Sequence, residues 1–484
     1  MLMPMQGHEA RPVLLTLADL SERSGVRFGT SGVRGLVRDL APEICQAFTH
    51  AFLSVSGMKA GPVLIGHDLR PSSPEIARAC CQEVLRHGFE PVNGGVVSTP
   101  ALAFAAQSRR APAIMVTGSH IPFDRNGIKF YLPHGEISKE DEQRMLASTV
   151  PEEPAPAAIL PTPDPGVLDL YVRRYTDAFD AGCLKGMTLG IYEHSSAARE
   201  LLHRILRALG AETVGLGRSE AFVAIDTEAV REEDIVMARA WAKQHAFTAI
   251  LTTDGDADRP LIADERGEWL RGDVVGILCA QALGAGTVVT PVSSNTALEA
   301  SGAFAETIRT RIGSPHVIAG MERARKAPVV GYEANGGFLL GSDVMLNGRR
   351  LAALPTRDAV LPMLLLLNAA RSRRCRLSDL VAELPRRHTF SDRLQDVDVE
   401  ACRALLAKLA EDPSGFSHLG RSRLPRVVST DTTDGVRASF ESGDILHLRL
   451  SGNAPELRCY AEASTRERAD LLCRECLEII ALQS

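Results

Sequence analysis

The chain has 484 residues, about three domains at a soft 150 residues each, with a fourth possible because small domains are common in long chains. Its 45% hydrophobic, 24% charged and 5% aromatic content is that of a globular protein and excludes long disorder, collagen-like repeats and coiled coil. Fifty-four basic against sixty acidic side chains give a net charge of -6, so neither a nucleic acid nor an anionic membrane surface is expected as partner, and any anion must be held locally.

The opening MLMPMQGHEARPVLLTLADL lacks the basic start and apolar stretch of a signal peptide, and the longest apolar run, Leu361 to Leu367, contains Pro362 and is too short to span a bilayer. Ten cysteines without regular spacing suit a reducing compartment, so a cytoplasmic protein is expected. Cys473 and Cys476 form a CxxC, but apolar residues recur around them at helical spacing, which predicts a packed helix face and not redox or metal chemistry.

Along the chain, PVLIGHD predicts a buried strand, followed by a helix capped by Ser73, started at Pro74 and ended by Gly88. Thr99 and Pro100 start a second helix that leads to the strand APAIMVTG. The prolines at 151, 154, 156, 161, 163 and 165 predict an extended connector. Beyond it MTLGIYE, a helix to Gly210, ETVGLG, a helix near Ile235 to Gln244 and FTAILTT repeat the alternation, as does the stretch from Gly272 through TVVTPVSS and PVVGYEA to the apolar helices after Pro355. The last hundred residues instead predict antiparallel strands around turns, in VRASFESGDILHLRLSG and LRCYAEA. The expected fold is α/β: three similar mixed domains with mostly parallel sheets and a C-terminal α+β domain with an antiparallel sheet, bounded at 1–155, 156–268, 269–385 and 386–484.

Ligands of such sheets sit beyond the carboxyl ends of the strands, which singles out the loops after Gly66 and Thr117. In MVTGSHIPFDRNGIKF, Ser119 and His120 follow a strand, with Lys129 beyond a loop turned by Asn126 and Gly127; adjacent residues seldom hydrogen-bond as nucleophile and base, which disfavours a hydrolase triad, but the hydroxyl is placed to react. Asp254, Asp256 and Asp258 crowd one loop; three carboxylates so close repel one another unless a cation or strong donors compensate, and oxygen-only ligands suit a hard ion such as Mg²⁺. A calcium EF-hand with Glu265 in twelfth place is rejected because Arg259 stands where the turn needs Gly. GYEANGGFLLGSD offers Glu333 and Asn335 to sugar hydroxyls, and HLRLSGNAPELRCYAE gathers Arg449, Ser451, Gly452, Asn453 and Arg458 on a turn suited to a phosphate dianion.

These residues resemble the α-D-phosphohexomutase superfamily, most closely its bacterial phosphomannomutases and phosphoglucomutases. The likeness runs from FGTSGVRG at 28–35 through Thr117-Gly118-Ser119-His120-Ile121-Pro122 and Asp254–Arg259 to the turn near 449–460. It implies a heart-shaped four-domain enzyme with a central cleft that converts mannose 6-phosphate and mannose 1-phosphate, and also glucose phosphates, and no oligomeric state, monomer or dimer, can be read. Ser119 would carry a phosphoryl group, with Mg²⁺ on it and on Asp254, Asp256 and Asp258. Arg34, His120, Lys129 and Arg259 would surround the transferring group, with Lys129 or His120 moving the proton. Glu333 would hold sugar hydroxyls, and Arg449, Ser451, Gly452, Asn453 and Arg458 the other phosphate. Hexose 1,6-bisphosphate would be intermediate and activator. The sugar loop departs from the family's G-E-x-S-G: Asn335 replaces the Ser, and the His that often follows is absent. Asn453-Ala454-Pro455 replaces Thr-Glu-Pro and removes a carboxylate. Alternatives are a phosphoglucomutase or phosphoglucosamine mutase and, from other classes, a phosphosugar hydrolase or a sugar-phosphate binding protein.

Overall fold

The computed structural model describes residues 15–29, 32–151, 153, 155–421, 423–452 and 455–483; Thr30, Ser31 and Asn453 lie outside them. Four main sheets follow one another along the chain, with a small two-stranded ribbon beside the third.

In the first sheet the apolar strand Pro62–His67 pairs in parallel with Glu90–Val96 and Ala113–Val116, the helices Ser73–Arg86 and Thr99–Arg109 making the crossovers. Gly94 and Gly95 let the edge strand pass close to its neighbours, and Val63, Leu64 and Ile65 are fully buried. The second sheet has the same parallel centre, Thr188–His194 between Glu212–Arg218 and Ala249–Thr253. The third has Thr287–Pro291 between Glu306–Thr310 and Val329–Tyr332.

Each of these sheets is mixed, because one strand of its parallel centre turns straight back. Ala113–Val116 returns as Arg125–Leu132, Ala249–Thr253 as Pro260–Ala263, and Val329–Tyr332 as Phe338–Leu340, each pair antiparallel. The connections are too short for the dozen or more residues that a parallel crossover needs, so the return strand must pair antiparallel. The three hairpin loops hold Ser119, the aspartates and Glu333.

The last sheet is wholly antiparallel, with order His388–Leu394, Leu457–Ala463, Ile445–Leu450, Val436–Phe440, Val427–Asp431. The helix Arg466–Gln483 packs on it, and Cys473 and Cys476 are fully buried in that interface. All ten cysteines are unpaired thiols. No helix among the described residues is long and apolar enough to cross a membrane.

Residues 155–164 form no helix or strand, and the connector is fastened to the first sheet: Asn93 donates to the Pro161 carbonyl and accepts nothing from it, while the Asp164 N–H donates to the Asn93 carbonyl. One continuous core joins the first three sheets. Within it Tyr171 and Tyr175, on the helix Gly166–Ala178, both donate to Asp358 at the end of Leu354–Asp358, a strand of the third sheet. Ser73 is not a helix cap. It is the first helical residue, and its hydroxyl donates to Asp68 instead, at 2.5 Å.

Candidate active site

Ser119 leaves the strand Ala113–Val116 in a left-handed conformation, φ 53°, a strain that its surroundings must over-determine. They do so from below. Thr117 Oγ1 accepts the Ser119 N–H at 2.8 Å and donates to Asp68 Oδ2 at 2.7 Å. The guanidinium of Arg70, wholly buried and paired with Asp68 at 3.3 Å, donates to the carbonyls of Ser119, Ile121, Pro122 and Arg125. Gly118 is required for this: a Cβ there would lie 2.5 Å from Arg70 Cζ. On its other side Arg70 is covered by the Phe222 ring, 4.0 Å away. Asp68 and Arg70, in the loop after Gly66, thus shape the serine loop without being reactive themselves. A loop with one Asp and one Arg gives no sequence signal of that role.

The acidic loop meets the serine loop directly. Ser119 Oγ donates to Asp254 Oδ2 at 2.5 Å, and a Cβ on Gly255 would lie 2.8 Å from the Ser119 carbonyl. The Thr99 N–H donates to the Asp256 carbonyl at 2.9 Å and its hydroxyl to Asp256 Oδ2 at 2.5 Å, so the first helix of the serine domain's second crossover clamps the loop. One carboxylate oxygen from each of Asp254, Asp256 and Asp258 lies within 4.8 Å of the others, and all three side chains are buried. Lys129 Nζ bridges Asp256 Oδ2 at 2.6 Å and Asp258 Oδ2 at 2.7 Å. Asn126 and Gly127 do not form the expected turn; they are the second and third residues of the strand Arg125–Leu132 that carries Lys129, and a Cβ at Gly127 would lie 2.3 Å from the Val33 carbonyl.

Charge is unevenly shared in this cluster. Burial, then the charges of Asp256 and Asp258, push the Asp254 carboxyl well above its ordinary range. Burial pushes Asp258 the same way, but Arg357, Lys129 and Arg259 together hold it below the usual carboxylate range. Burial alone would lower the Lys129 ammonium, and Asp256 and Asp258 outweigh it and raise it, so Lys129 is charged. Asp256 Oδ1 and Asp258 Oδ1 are buried with no hydrogen-bond partner. Two orphaned carboxylate oxygens beside a carboxyl that resists ionisation form an all-oxygen set that fits a hard divalent cation.

His120 is neutral, because burial and then Arg259 and Arg34 press its pKa well below the ordinary value. Arg259 Nη1 approaches His120 Nδ1 at 2.9 Å and can only donate, so Nδ1 carries the lone pair and the proton is on Nε2. Ser119 Oγ is 3.2 Å from the same Nδ1. Burial, Arg259 and Arg357 bring Arg34, on the strand Val33–Leu36, down to about 10.

The sugar loop is closed by its own backbone, the Glu333 N–H donating to the Gly337 carbonyl at 3.0 Å. Asn335 Oδ1 accepts the Gly337 N–H at 3.0 Å, and the Asn335 carbonyl accepts from Thr227 of the second domain at 2.7 Å. The structure adds a residue that the sequence did not reveal. Arg357, on the strand Leu354–Asp358, donates to Asp258 Oδ2 through Nε at 3.0 Å and Nη2 at 2.7 Å, and to Glu333 Oε2 through Nη1 at 3.2 Å. It joins the acidic and sugar loops, and Gly337, where the family often has His, leaves the space it fills.

In the last sheet Arg449 and Arg458 face each other across paired strands. Arg449 pairs with Asp434 at 3.4 Å and Arg458 with Glu456 at 3.1 Å, so Glu456 supplies a carboxylate beside the turn in which Ala454 has none. The Ser451 N–H donates to the Glu456 carbonyl, closing the turn that contains Gly452. Thus the first three loops are in contact, while Arg449 and Arg458 beside the fourth pair with carboxylates of their own domain. Glu228 stands between: Arg259 of the acidic loop and Arg458 of the turn both act on its carboxyl, which burial and Asp226 raise. Glu228, Arg271 and Arg387 line a cavity of about 770 Å³ between the second, third and fourth sheets.

Three strand-end loops converging on one acidic cluster, with a separate arginine turn on a fourth sheet, define a four-domain phosphosugar-handling architecture. The chain belongs to the phosphoglucomutase/phosphomannomutase family: its alpha/beta/alpha domains I, II and III match residues 25–155, 169–267 and 271–388, and its C-terminal domain matches 375–479. It is 47% identical to a phosphomannomutase of Salmonella muenchen over 93% of this chain and 95% of that one. It is 44% identical to a phosphomannomutase of Sinorhizobium fredii, over 94% and 99%. A phosphoglucomutase/phosphomannomutase family protein of Burkholderia thailandensis shares the fold, with a TM-score of 0.75 at 22% identity, covering 93% of this chain and 97% of that one.

Proposed function

We propose that the chain interconverts mannose 6-phosphate and mannose 1-phosphate, and also accepts glucose phosphates, by way of a phosphoryl group carried on Ser119 and a hexose 1,6-bisphosphate intermediate. The observation that carries this reading is the 2.5 Å contact of Ser119 Oγ with Asp254, which joins a strained hydroxyl of one domain to the acidic loop of the next. The mannose preference is supported by the names of the Salmonella muenchen and Sinorhizobium fredii relatives, both phosphomannomutases.

In the forward direction the bond between phosphorus and Ser119 Oγ breaks as a sugar oxygen bonds to phosphorus, the sugar proton leaving through water. His120 Nδ1, 3.2 Å from Ser119 Oγ, takes the hydroxyl proton when the serine is nucleophile once Arg259 turns from it to the phosphoryl oxygens, and the imidazolium so formed returns that proton in the next cycle when the serine is leaving group. Arg34, Arg259 and charged Lys129 neutralise the transferring oxygens, which is most of what such a transition state needs. Glu333, oriented by Arg357, accepts bonds from sugar hydroxyls, with Asn335 beside it, and Arg449, Ser451, Gly452, Asn453 and Arg458 hold the phosphate that is not reacting. The sugar turns over between half-reactions and presents its other phosphate to Ser119.

Mg²⁺, held by Asp254, Asp256, Asp258 and the Ser119 oxygen, would supply Lewis-acid polarisation of the phosphoryl group. Hexose 1,6-bisphosphate activates by charging Ser119. The loops divide over domains 1–155, 156–268, 269–385 and 386–484, and ten unpaired thiols suit a cytoplasmic site of action.

Mannose, glucose and glucosamine 6-phosphates assayed side by side, with catalytic hexose 1,6-bisphosphate, test the reading. The highest kcat/KM is expected with mannose 6-phosphate, without release of free phosphate, and Ser119→Ala should abolish turnover while retaining substrate binding. Preference for glucosamine 6-phosphate, steady phosphate release, or an active Ser119→Ala variant would overturn it.

A further inference from the structure

A second convergence of ligand atoms lies in the first domain, well away from Ser119. The 14-residue helix Ser73–Arg86 begins at Ser73, a partner of Asp68 beneath the serine loop, and runs about 20 Å to its other end. There Glu83 and the capping residue His87, four positions apart, share one face. Opposite them, on the neighbouring helix Pro42–Val55, is His50.

Three atoms meet: His50 Nδ1 lies 2.9 Å from Glu83 Oε1 and 2.8 Å from His87 Nε2, and His87 Nε2 lies 3.3 Å from Glu83 Oε1. No arrangement of protons makes all three contacts hydrogen bonds with an ionised carboxylate. If both ring nitrogens carry hydrogen, both can donate to Glu83, but two N–H groups then confront each other. If only His87 is protonated there, it donates to His50, whose remaining lone pair is spent, and His50 cannot also donate to Glu83. If only His50 is protonated, the His87 lone pair faces the carboxylate. A cation at the centre removes the conflict, since all three atoms then present lone pairs to it. The His87–Glu83 edge has the about 3.3 Å that separates ligands bound tetrahedrally at 2.0 to 2.1 Å, and the other two, at 2.8 and 2.9 Å, would open by about half an ångström around the ion.

The surroundings suit a metal. Glu83 is fully buried, and its other oxygen is paired with Arg86, which orients the carboxylate to offer Oε1 alone. The His50 and His87 side chains are 25% and 20% exposed, leaving an entry path and room for a water as fourth ligand. Two imidazole nitrogens and one carboxylate oxygen make a borderline donor set, unlike the all-oxygen aspartate cluster.

We infer that His50, Glu83 and His87 form a second metal site, selective for a borderline first-row dication such as Zn²⁺, which pins the helix Pro42–Val55 to the end of the helix Ser73–Arg86. The two sites sort ions by donor type, so Mg²⁺ does not compete here.

The test is Zn²⁺ titration of the metal-stripped full chain in excess Mg²⁺, read by calorimetry and thermal melting, with Co²⁺ as a visible-absorbing substitute. The expected result is one equivalent of Zn²⁺ bound and a raised melting temperature in the wild type and in Asp254→Asn. Affinity should fall by at least about tenfold in His50→Ala and His87→Ala. Should those variants not fold, His87→Gln, which keeps the helix end and most of the volume, is expected to lose the four-coordinate Co²⁺ spectrum. Zn²⁺ uptake that disappears in Asp254→Asn, or that persists unchanged in the histidine variants, would overturn the inference, as would no uptake at all.

Discussion

Gly337 and Arg357 are fitted to each other: a Cβ at Gly337 would lie 2.5 Å from Arg357 Cδ, so the glycine of the sugar loop is the space through which the arginine reaches Asp258 and Glu333. Gly337→Ala should therefore displace Arg357 and act like a mild Arg357 variant. Arg357→Lys keeps a charge but cannot make the forked contact with Asp258 while reaching Glu333. We expect kcat/KM to fall by about 10²-fold in Arg357→Lys, roughly the effect of losing one or two buried charge-assisted bonds. Steady-state kinetics on both variants checks it; a Gly337→Ala enzyme at the wild-type rate would show that Arg357 needs no such space.

Asp254 and Asp256 should respond oppositely to neutralisation. Asp254 carries the carboxyl that its buried neighbours disfavour, whereas Asp256 holds Lys129 and Thr99. In metal-free protein, Asp254→Asn should leave the melting temperature unchanged or raise it. Asp256→Asn should lower it, because a buried ammonium loses a partner, a change of about 3 kcal/mol when such a pair is broken. Calorimetry with and without Mg²⁺ measures both, and both variants should bind Mg²⁺ more weakly.

The serine loop has no tolerance at Gly118. Gly118→Ala drives a methyl into the Arg70 guanidinium, which holds four carbonyls of that loop, so turnover should fall by about 10²-fold or more through misplacement of Ser119 alone. Substrate binding through the distant arginine turn should change little. Parallel measurement of kcat and of equilibrium binding separates the two effects; equal losses in both would contradict the assignment.

Stability should decline on the acid side of neutrality. Burial depresses His194 and His447 to about 4, below the about 6.5 of an unfolded histidine. Between those values the unfolded chain binds the protons and the folded one does not, so stability falls as pH drops from about 6.5 towards 4. The slope is about 1.4 kcal/mol per pH unit for each histidine. Replacing His447 by Gln should flatten the profile over that window, as followed by chemical denaturation at a series of pH values.

The alternation of strands and helices, the reactive hydroxyl and the acidic loop were legible because each depends on local pattern: buried runs, crossover helices and repeated carboxylates. The antiparallel return strands were not read, although FYL, PLIA and FLL are apolar and follow loops too short for a crossover. Arg70 and Arg357 were missed for another reason. Their roles arise from partners 49 to 55 and 24 to 99 residues away, and an isolated arginine on a strand or turn has no local mark of that. Ser73 and Asn126 fitted local capping and turn rules, but their side chains are taken by Asp68 and by Ser72 and Ser73.

The shared hairpin form of the three reactive loops limits how this enzyme can be altered. Each loop is bracketed by two paired strands whose faces are set by a two-residue repeat. The return strands Arg125–Leu132, Pro260–Ala263 and Phe338–Leu340 are buried almost throughout, so a change of loop length that slipped the pairing by one residue would set every side chain of a return strand against the wrong packing layer. New substrate preferences are therefore reachable by exchanging side chains at fixed loop length, and hardly at all by lengthening the loops.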